Sequence, residues 1–156
     1  MDRPVAMNGL FESHLTVRSL DASIAFYRDR LGLELAYRIE ARRAAFFWIG
    51  GRGRSMLGLW ETGSAPHEMR LHLAFECDVR EVLDAPARLR ASGIQPLGFD
   101  GELVEEPVVI GWMPAVSLYF RDPDGHLLEL IAMLSEPPDA ERGIVPYSAW
   151  TAASRR

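Results

Sequence analysis

Short runs of alternating apolar and polar residues recur along the chain, with the spacing typical of strands that bury one face. Two of them, ESHLTVR and MRLHLAFEC, each lead through a polar turn into a segment with apolar residues at helical spacing. Each helical segment ends at a glycine, Gly32 or Gly93, and further strand-like runs follow. The pattern therefore predicts the order strand, helix and three strands, twice over.

In the first copy, Ser19 or Asp21 is placed to cap the helix, and the strands that follow are ELAYRIEA, RAAFFWIG and SMLGLWE. In the second copy they are QPLGF, AVSLYFR and HLLELIAM, the last two joined by a DPDG turn. Pro86 lies inside the second helical segment, where proline is tolerated only near the first turn or at a kink. These elements predict an α+β fold in which two tandem βαβββ modules form a curved, cup-shaped mixed sheet.

The same pattern predicts the domain boundaries. Residues 1–9 form a lead, modules one and two cover residues 10–62 and 69–134, and residues 135–156 form a tail. The tail is expected to be irregular and to dock on the body of the protein or on a second subunit.

Composition narrows the class of protein. The 156 residues are 48% hydrophobic and 25% charged, as in soluble globular proteins, and the formal net charge of −5 disfavours nucleic-acid binding. No apolar run is long enough to cross a bilayer and no secretion signal is recognised, so a cytoplasmic protein is expected.

Cys77 is the single cysteine, so an intrachain disulfide is excluded, and its side chain is predicted to be buried. An arginine-rich stretch is interpreted as a solvated strand face: Arg38, Arg42, Arg43, Arg52 and Arg54.

Three residues carry candidate chemistry: His14, His72 and Glu129, each within an alternating apolar run. Two imidazoles and one carboxylate are the ligand set of open mononuclear metal sites. The histidines occupy corresponding positions of the repeat, and a carboxylate in an apolar strand needs a cation or strong donors. The sequence therefore predicts one divalent ion, with Mn²⁺ or Fe²⁺ favoured and Zn²⁺ or Ni²⁺ as alternatives.

Two segments, ASIAFYRDRLGLEL and LYFRDPDGHLLELI, stand at matching repeat positions and resemble the vicinal oxygen chelate superfamily. That superfamily includes glyoxalase I, fosfomycin-resistance transferases, bleomycin-binding proteins and extradiol dioxygenases. The resemblance covers about residues 10–134 and implies the glyoxalase-like fold. It also implies an ion held by His14, His72 and Glu129, a small-molecule substrate bound through two oxygens, and a homodimer in which modules from two chains build each cup.

Gly58 departs from the glyoxalase I pattern, which places a fourth, usually carboxylate ligand at this position. Overlaying SMLGLW on HLLELI sets Gly58 against Glu129, and glycine has no side chain to coordinate. Glu61, on the opposite pleat, is interpreted as a solvated strand end. A three-ligand site with open positions is expected, which disfavours an isomerase of the glyoxalase I type.

Tyr119 and Thr16 are the other candidate catalytic residues. Tyr119 with the DPDG turn and Glu129 matches the terminal half of the extradiol dioxygenase signature, but the histidine expected upstream is absent. Thr16 matches the His-x-Thr of the fosfomycin transferases, and Ser117 resembles a substrate-contact position of that family. The loop from Val104 to Pro114 lacks a phosphonate-binding lysine, and its acidic neighbours would repel a phosphonate.

Aromatic residues are predicted to wall the substrate cavity, since such pockets are mostly apolar: Phe46, Trp48, Trp60, Phe99 and Trp112. His126, after the DPDG turn, is expected to face solvent or the neighbouring strand of the hairpin. The sequence thus predicts a divalent-metal-dependent lyase, transferase or dioxygenase that stabilises an oxyanion or enolate, with a thiol cosubstrate left open. The alternatives are an extradiol ring-cleaving dioxygenase and a metal-free, drug-binding dimer of the bleomycin-resistance kind.

Overall fold

A computed structural model describes residues 9–61 and 70–154 of the chain, which fall into two compact units on either side of the gap. The first unit contains β1 (Glu12–Val17), α1 (Leu20–Ile24), β2 (Glu34–Ile39), β3 (Ala44–Ile49) and β4 (Ser55–Glu61). Helix α1 continues as a π-helical segment, Ala25–Arg30. The sheet order is β1-β4-β3-β2, with β1 parallel to β4 and the other pairs antiparallel.

The second unit repeats this arrangement with β5 (His72–Glu76), α2 (Val79–Ala91), β6 (Val108–Ile110), β7 (Ala115–Arg121) and β8 (Leu127–Met133). Its sheet order is β5-β8-β7-β6-β9, and β5 is again parallel to β8. The last strand and a final helix, β9 (Ile144–Pro146) and α3 (Tyr147–Ser154), lie beyond the repeat. The predicted α+β class and the tandem βαβββ order are confirmed.

Each helix covers one face of its own sheet and leaves the other face for chemistry. In the first unit, the Ser19 side chain caps α1 by accepting the Ala22 N–H at 3.3 Å. Tyr27 then packs its fully buried ring 5.9 Å from that of Phe47 on β3. Because strand residues alternate between faces, Phe46 next to Phe47 lies on the opposite side, with His14.

Two predictions for the second unit, a QPLGF strand and an irregular tail, are wrong. QPLGF is not a strand: Leu97 makes only a bridge to Tyr119, and Val108–Ile110 pairs with β7 instead. Pro86 lies in the interior of a continuous α2, where its ring is buried. The tail is not irregular, since β9 pairs with β6 and Trp150 of α3 is buried.

Docking of the tail depends on close backbone approach at Gly111. The Gly111 N–H donates to Gly143 O, and the Asp139 N–H donates to Gly111 O, both at 2.8 Å. A Cβ at Gly111 would overlap the backbone oxygen of Asp139, so only glycine fits there. The tail therefore docks on the body of its own chain.

The predicted lead (1–9) lies almost wholly outside the described residues, and so do the linker and His67. Within 9–61 and 70–154, no helix is long and apolar enough to span a membrane.

Candidate active site

In the second unit, two neighbouring strands bring His72 and Glu129 together. Parallel pairing sets His72 beside Leu127, two residues before Glu129 on the same pleat. The His72 imidazole Nε2 lies 3.0 Å from Oε2 of Glu129, within hydrogen-bonding distance. Tyr119 on β7 is the direct cross-strand partner of Glu129, and its ring centre lies 6.2 Å from that of His72. Three residues singled out in the sequence therefore meet on one face.

The Glu129 carboxylate is almost completely buried, at 5% exposure. Its Oε1 atom has no hydrogen-bond partner, although His72 contacts the other oxygen. A buried carboxylate oxygen without a donor is costly unless a cation compensates it. This orphaned oxygen is the feature of the site that best fits a metal ion.

The Tyr119 hydroxyl is held in its protonated form. Burial raises the pKa of Tyr119 well above its ordinary value of 10, and the nearby Glu129 charge raises it further. A phenol that keeps its proton can donate a hydrogen bond to a substrate oxygen that is gaining negative charge.

His72, Tyr119 and Glu129 form the polar end of a cavity of about 310 Å³. The remaining lining residues are apolar: Phe99, Ile110, Met113, Leu127 and Ile131. The alternation of β8 could have indicated Leu127 and Ile131, since both share the Glu129 pleat. Ile110 and Met113 depend on β6, which the sequence pattern missed.

Ser117 is fully buried on the same pleat as Tyr119, and a side-chain hydrogen bond between the two opposes the effects of burial and Glu129 on the Tyr119 pKa. Trp112, by contrast, is 63% exposed and is not among the residues that line this cavity. The structure thus places Ser117 beside Tyr119 and does not place Trp112 in the cavity wall.

His14 lies in the first unit on β1, directly opposite Gly58 of β4. Its ring rests against the glycine: a Cβ at Gly58 would lie 2.6 Å from His14 Cδ2 and 3.2 Å from a carbon of Phe46. The Trp60 indole N–H donates to His14 Nδ1 at 3.2 Å, while Nε2 lies 3.0 Å from Glu12 Oε1. The position without a fourth ligand is therefore occupied by the histidine ring itself.

Thr16 and Trp48 belong to the same face of the first sheet as His14. Thr16 follows His14 by two residues on β1 and pairs with Trp60, whereas Trp48 pairs with Met56. Among residues 9–61 and 70–154, histidine, cysteine, aspartate and glutamate side chains form no group of three that could hold a metal ion. The structure brings together His72, Tyr119 and Glu129 in one unit, and His14, Thr16 and Trp60 in the other.

Two residues differ from expectation because they hold the fold together. His126 is fully buried, not exposed: its Nδ1 accepts the Leu71 N–H at 3.0 Å, and its own N–H donates to Asp122. Glu61 is not simply a solvated strand end, since it accepts the Leu20 N–H at 2.6 Å and pairs with Arg43. Cys77 is half-buried, and burial raises the pKa of its thiol.

Comparisons with known proteins agree with this fold. Residues 9–130 match the model of the Glyoxalase/Bleomycin resistance protein/Dioxygenase superfamily, so the chain belongs to that superfamily. "Glyoxylase I 4" of Arabidopsis thaliana is 28% identical over 134 residues, which are 81% of this chain and 72% of that protein.

Two solved structures also resemble the chain in fold and in sequence. An integron cassette protein from the mobile metagenome of the Halifax Harbour sewage outfall has a TM-score of 0.71 and 35% identity, over 81% of this chain and all of the other. The fosfomycin resistance protein FosX of Listeria monocytogenes has a TM-score of 0.60 and 29% identity, over 83% of this chain and 94% of FosX.

Proposed function

We propose that this chain is a divalent-metal-dependent enzyme that binds a small oxygenated substrate through two oxygens and stabilises an oxyanion or enolate. The observation that carries the proposal is the Glu129 carboxylate, buried beside His72 with one oxygen unsatisfied. Superfamily membership supports it, because many of the proteins in this group are metal enzymes.

His72 and Glu129 are the proposed ligands from the second unit, and His14 is the proposed third ligand. The donor set, two nitrogens and one carboxylate oxygen, suits Mn²⁺ or Fe²⁺, and Zn²⁺ and Ni²⁺ are compatible with it. A bound divalent ion would supply Lewis acidity toward the substrate oxygens. Homodimer formation, with His14 supplied by a second copy of the chain, is the proposed assembly.

The residues around the proposed ligands bind and orient the substrate. The Tyr119 hydroxyl, which keeps its proton, donates a hydrogen bond to a substrate oxygen as that oxygen gains negative charge. Thr16 orients the substrate from the first module. Apolar side chains such as Phe99 and Met113 exclude water from the polar end of the cavity, which strengthens that hydrogen bond.

Among the residues that the structure describes, the cavity lining offers no cationic arginine or lysine side chain to a substrate. A phosphonate or carboxylate bound there would depend on the proposed metal ion for its counter-charge. Extradiol cleavage of a catechol is the second candidate, because Tyr119 and Glu129, which match the terminal half of that signature, are cross-strand partners.

Metal analysis tests the proposal. The purified protein, incubated with Mn²⁺, Fe²⁺, Ni²⁺ or Zn²⁺ and desalted, should retain one ion per chain. Glu129→Gln should bind the ion at least about 10-fold more weakly, because a charged ligand is lost. Glu76→Gln, a matched change on β5, should bind like the wild type.

Absence of every ion from the wild-type protein, or equal binding by Glu129→Gln and the wild type, would refute the metal proposal. Oxygen uptake by the Fe²⁺-loaded protein when a catechol is added would support ring cleavage. No uptake would eliminate the extradiol candidate and leave non-oxidative chemistry on the substrate.

A further inference from the structure

We infer that Trp60 holds His14 in the tautomer that carries its proton on Nε2, and thereby limits how readily His14 binds a metal ion. The inference about metal capture rests on the proposed function. The inference about the tautomer rests only on the contacts of His14, and it assigns Trp60 as a positioning residue.

The hydrogen bond from Trp60 determines the tautomer. An indole nitrogen can only donate, so Nδ1 of His14, 3.2 Å away, must accept with its lone pair. In the neutral ring the proton is then on Nε2, which lies 3.0 Å from a carboxylate oxygen of Glu12 and donates to it. Both nitrogens of His14 are therefore engaged, and neither offers a free lone pair.

This arrangement is the reverse of the usual one around a metal-binding histidine. Such a histidine normally donates its second ring N–H to an acceptor, which fixes the other nitrogen as a ligand. Binding through Nε2 would move the proton of His14 to Nδ1, where it would face the N–H of Trp60. Two donors would then oppose each other, so Trp60 must move away before His14 can bind.

Neighbouring side chains contact the His14 ring on more than one side, although its side chain is half exposed. The ring packs against the backbone of Gly58, so closely that a Cβ on Gly58 would clash with it. The Phe46 ring packs edge-on, with its centre 6.1 Å from that of His14. Trp60 itself packs with its ring centre 5.8 Å from that of His14. These ring contacts orient His14 beside Trp60, and the hydrogen bond from Trp60 selects its tautomer.

Histidine-selective ¹⁵N labelling of chelator-treated protein tests the tautomer directly at pH 8. The His14 signals, assigned with His14→Gln, should show the proton on Nε2 in the wild type. Because Glu12 also favours a proton on Nε2, the donor is removed in a Glu12→Ala background, where Trp60→Phe should shift His14 toward the other tautomer. Phe46→Leu, which removes a ring contact but no hydrogen bond, should retain the wild-type pattern. A proton on Nδ1 in the wild type, or the same pattern in Glu12→Ala and in Glu12→Ala with Trp60→Phe, would overturn the inference.

Mn²⁺ titration of the same proteins tests the consequence for metal binding. Trp60→Phe should bind Mn²⁺ about 3- to 10-fold more tightly than the wild type, the order expected from removing one neutral hydrogen bond. Equal affinity in Trp60→Phe and Phe46→Leu would overturn the role of Trp60 in capture. If no variant binds metal while the tautomer shift occurs, the proposed function fails and the assignment of the tautomer stands.

Discussion

Gly58 shows at the scale of one residue how the first sheet accommodates an imidazole. Its backbone φ is not in the left-handed region, so space and not conformation demands glycine here. His14 and Phe46 fill the volume that a side chain would need, which gives the absence of a fourth ligand a steric reason.

Gly58→Ala should therefore displace the His14 ring and lower the free energy of unfolding by about 1–3 kcal/mol, as overpacking in a buried position does. Chemical denaturation measures the loss. Gly9→Ala, where an added Cβ would meet nothing within 4 Å, should leave stability unchanged. Wild-type stability in Gly58→Ala would show that the ring moves aside without cost.

Tyr119 makes the stability of the folded protein depend on pH in the alkaline range. Its pKa in the folded protein lies above the ordinary value of 10, because of burial and the Glu129 charge. Above about pH 10 the unfolded chain loses this proton while the folded protein keeps it, so stability falls as pH rises. The chain has no lysine whose titration would overlap.

Tyr119→Phe should accordingly show a shallower loss of stability than the wild type between about pH 9 and 11. Denaturant unfolding across this range is the measurement. Tyr37→Phe is the control, since the Tyr37 side chain is 67% exposed. An equally steep loss in Tyr119→Phe and the wild type would contradict the raised pKa.

At the scale of elements, the end of β4 fixes the start of α1. Glu61 accepts the Leu20 N–H at 2.6 Å and an Arg43 N–H at 2.7 Å. The Arg43 hydrogen bond, followed by that from Leu20, lowers the pKa of Glu61 below its ordinary value of 4.5. A lowered pKa in the folded state means stability that is present above this value and lost as pH falls through the folded pKa.

Glu61→Gln should reduce stability at pH 7 and flatten its decline between about pH 5 and 3. Urea unfolding at several pH values tests this. Glu34→Gln breaks an ion pair with the highly exposed Arg52, and because such surface pairs contribute little, it should retain the wild-type profile. If Glu61→Gln and the wild type lose stability identically as the pH falls, the Glu61 carboxylate does not stabilise the start of α1.

At the scale of the whole molecule, the proposed three ligands are divided between the two units. His14 belongs to the first, and His72 and Glu129 belong to the second. The proposed homodimer supplies His14 from a second copy, so two variants with complementary defects should restore a site when they associate.

Co-refolding His14→Ala with Glu129→Gln in equal amounts should restore metal to about a quarter of the sites, because half of randomly paired dimers are mixed and each holds one intact site. Metal analysis of the refolded mixture, beside each variant refolded alone, provides the measurement. Verified mixed dimers without recovered metal would place all three ligands on one chain.

Much of the fold follows from the sequence because periodicity reports local structure. Alternation located β1, β5, β7 and β8, and the repeat predicted the tandem βαβββ order. The short β6 was missed because three apolar residues carry no period, and its pairing with β7 and β9 is decided by tertiary contacts. Burial of His126 was missed because it also depends on a tertiary contact. The Leu71 N–H that the His126 side chain accepts comes from a segment distant in the sequence.

The sequence by itself determined the superfamily, the repeat and the residues that carry candidate chemistry. Only the tertiary structure decided that Glu129 has one unsatisfied buried oxygen and that Trp60 donates to His14. Hydrogen-bond direction and desolvation depend on atoms brought together from distant strands, 46 residues apart for His14 and Trp60. Side-chain periodicity indicates which face a residue occupies, whereas its partner on that face depends on the register between strands.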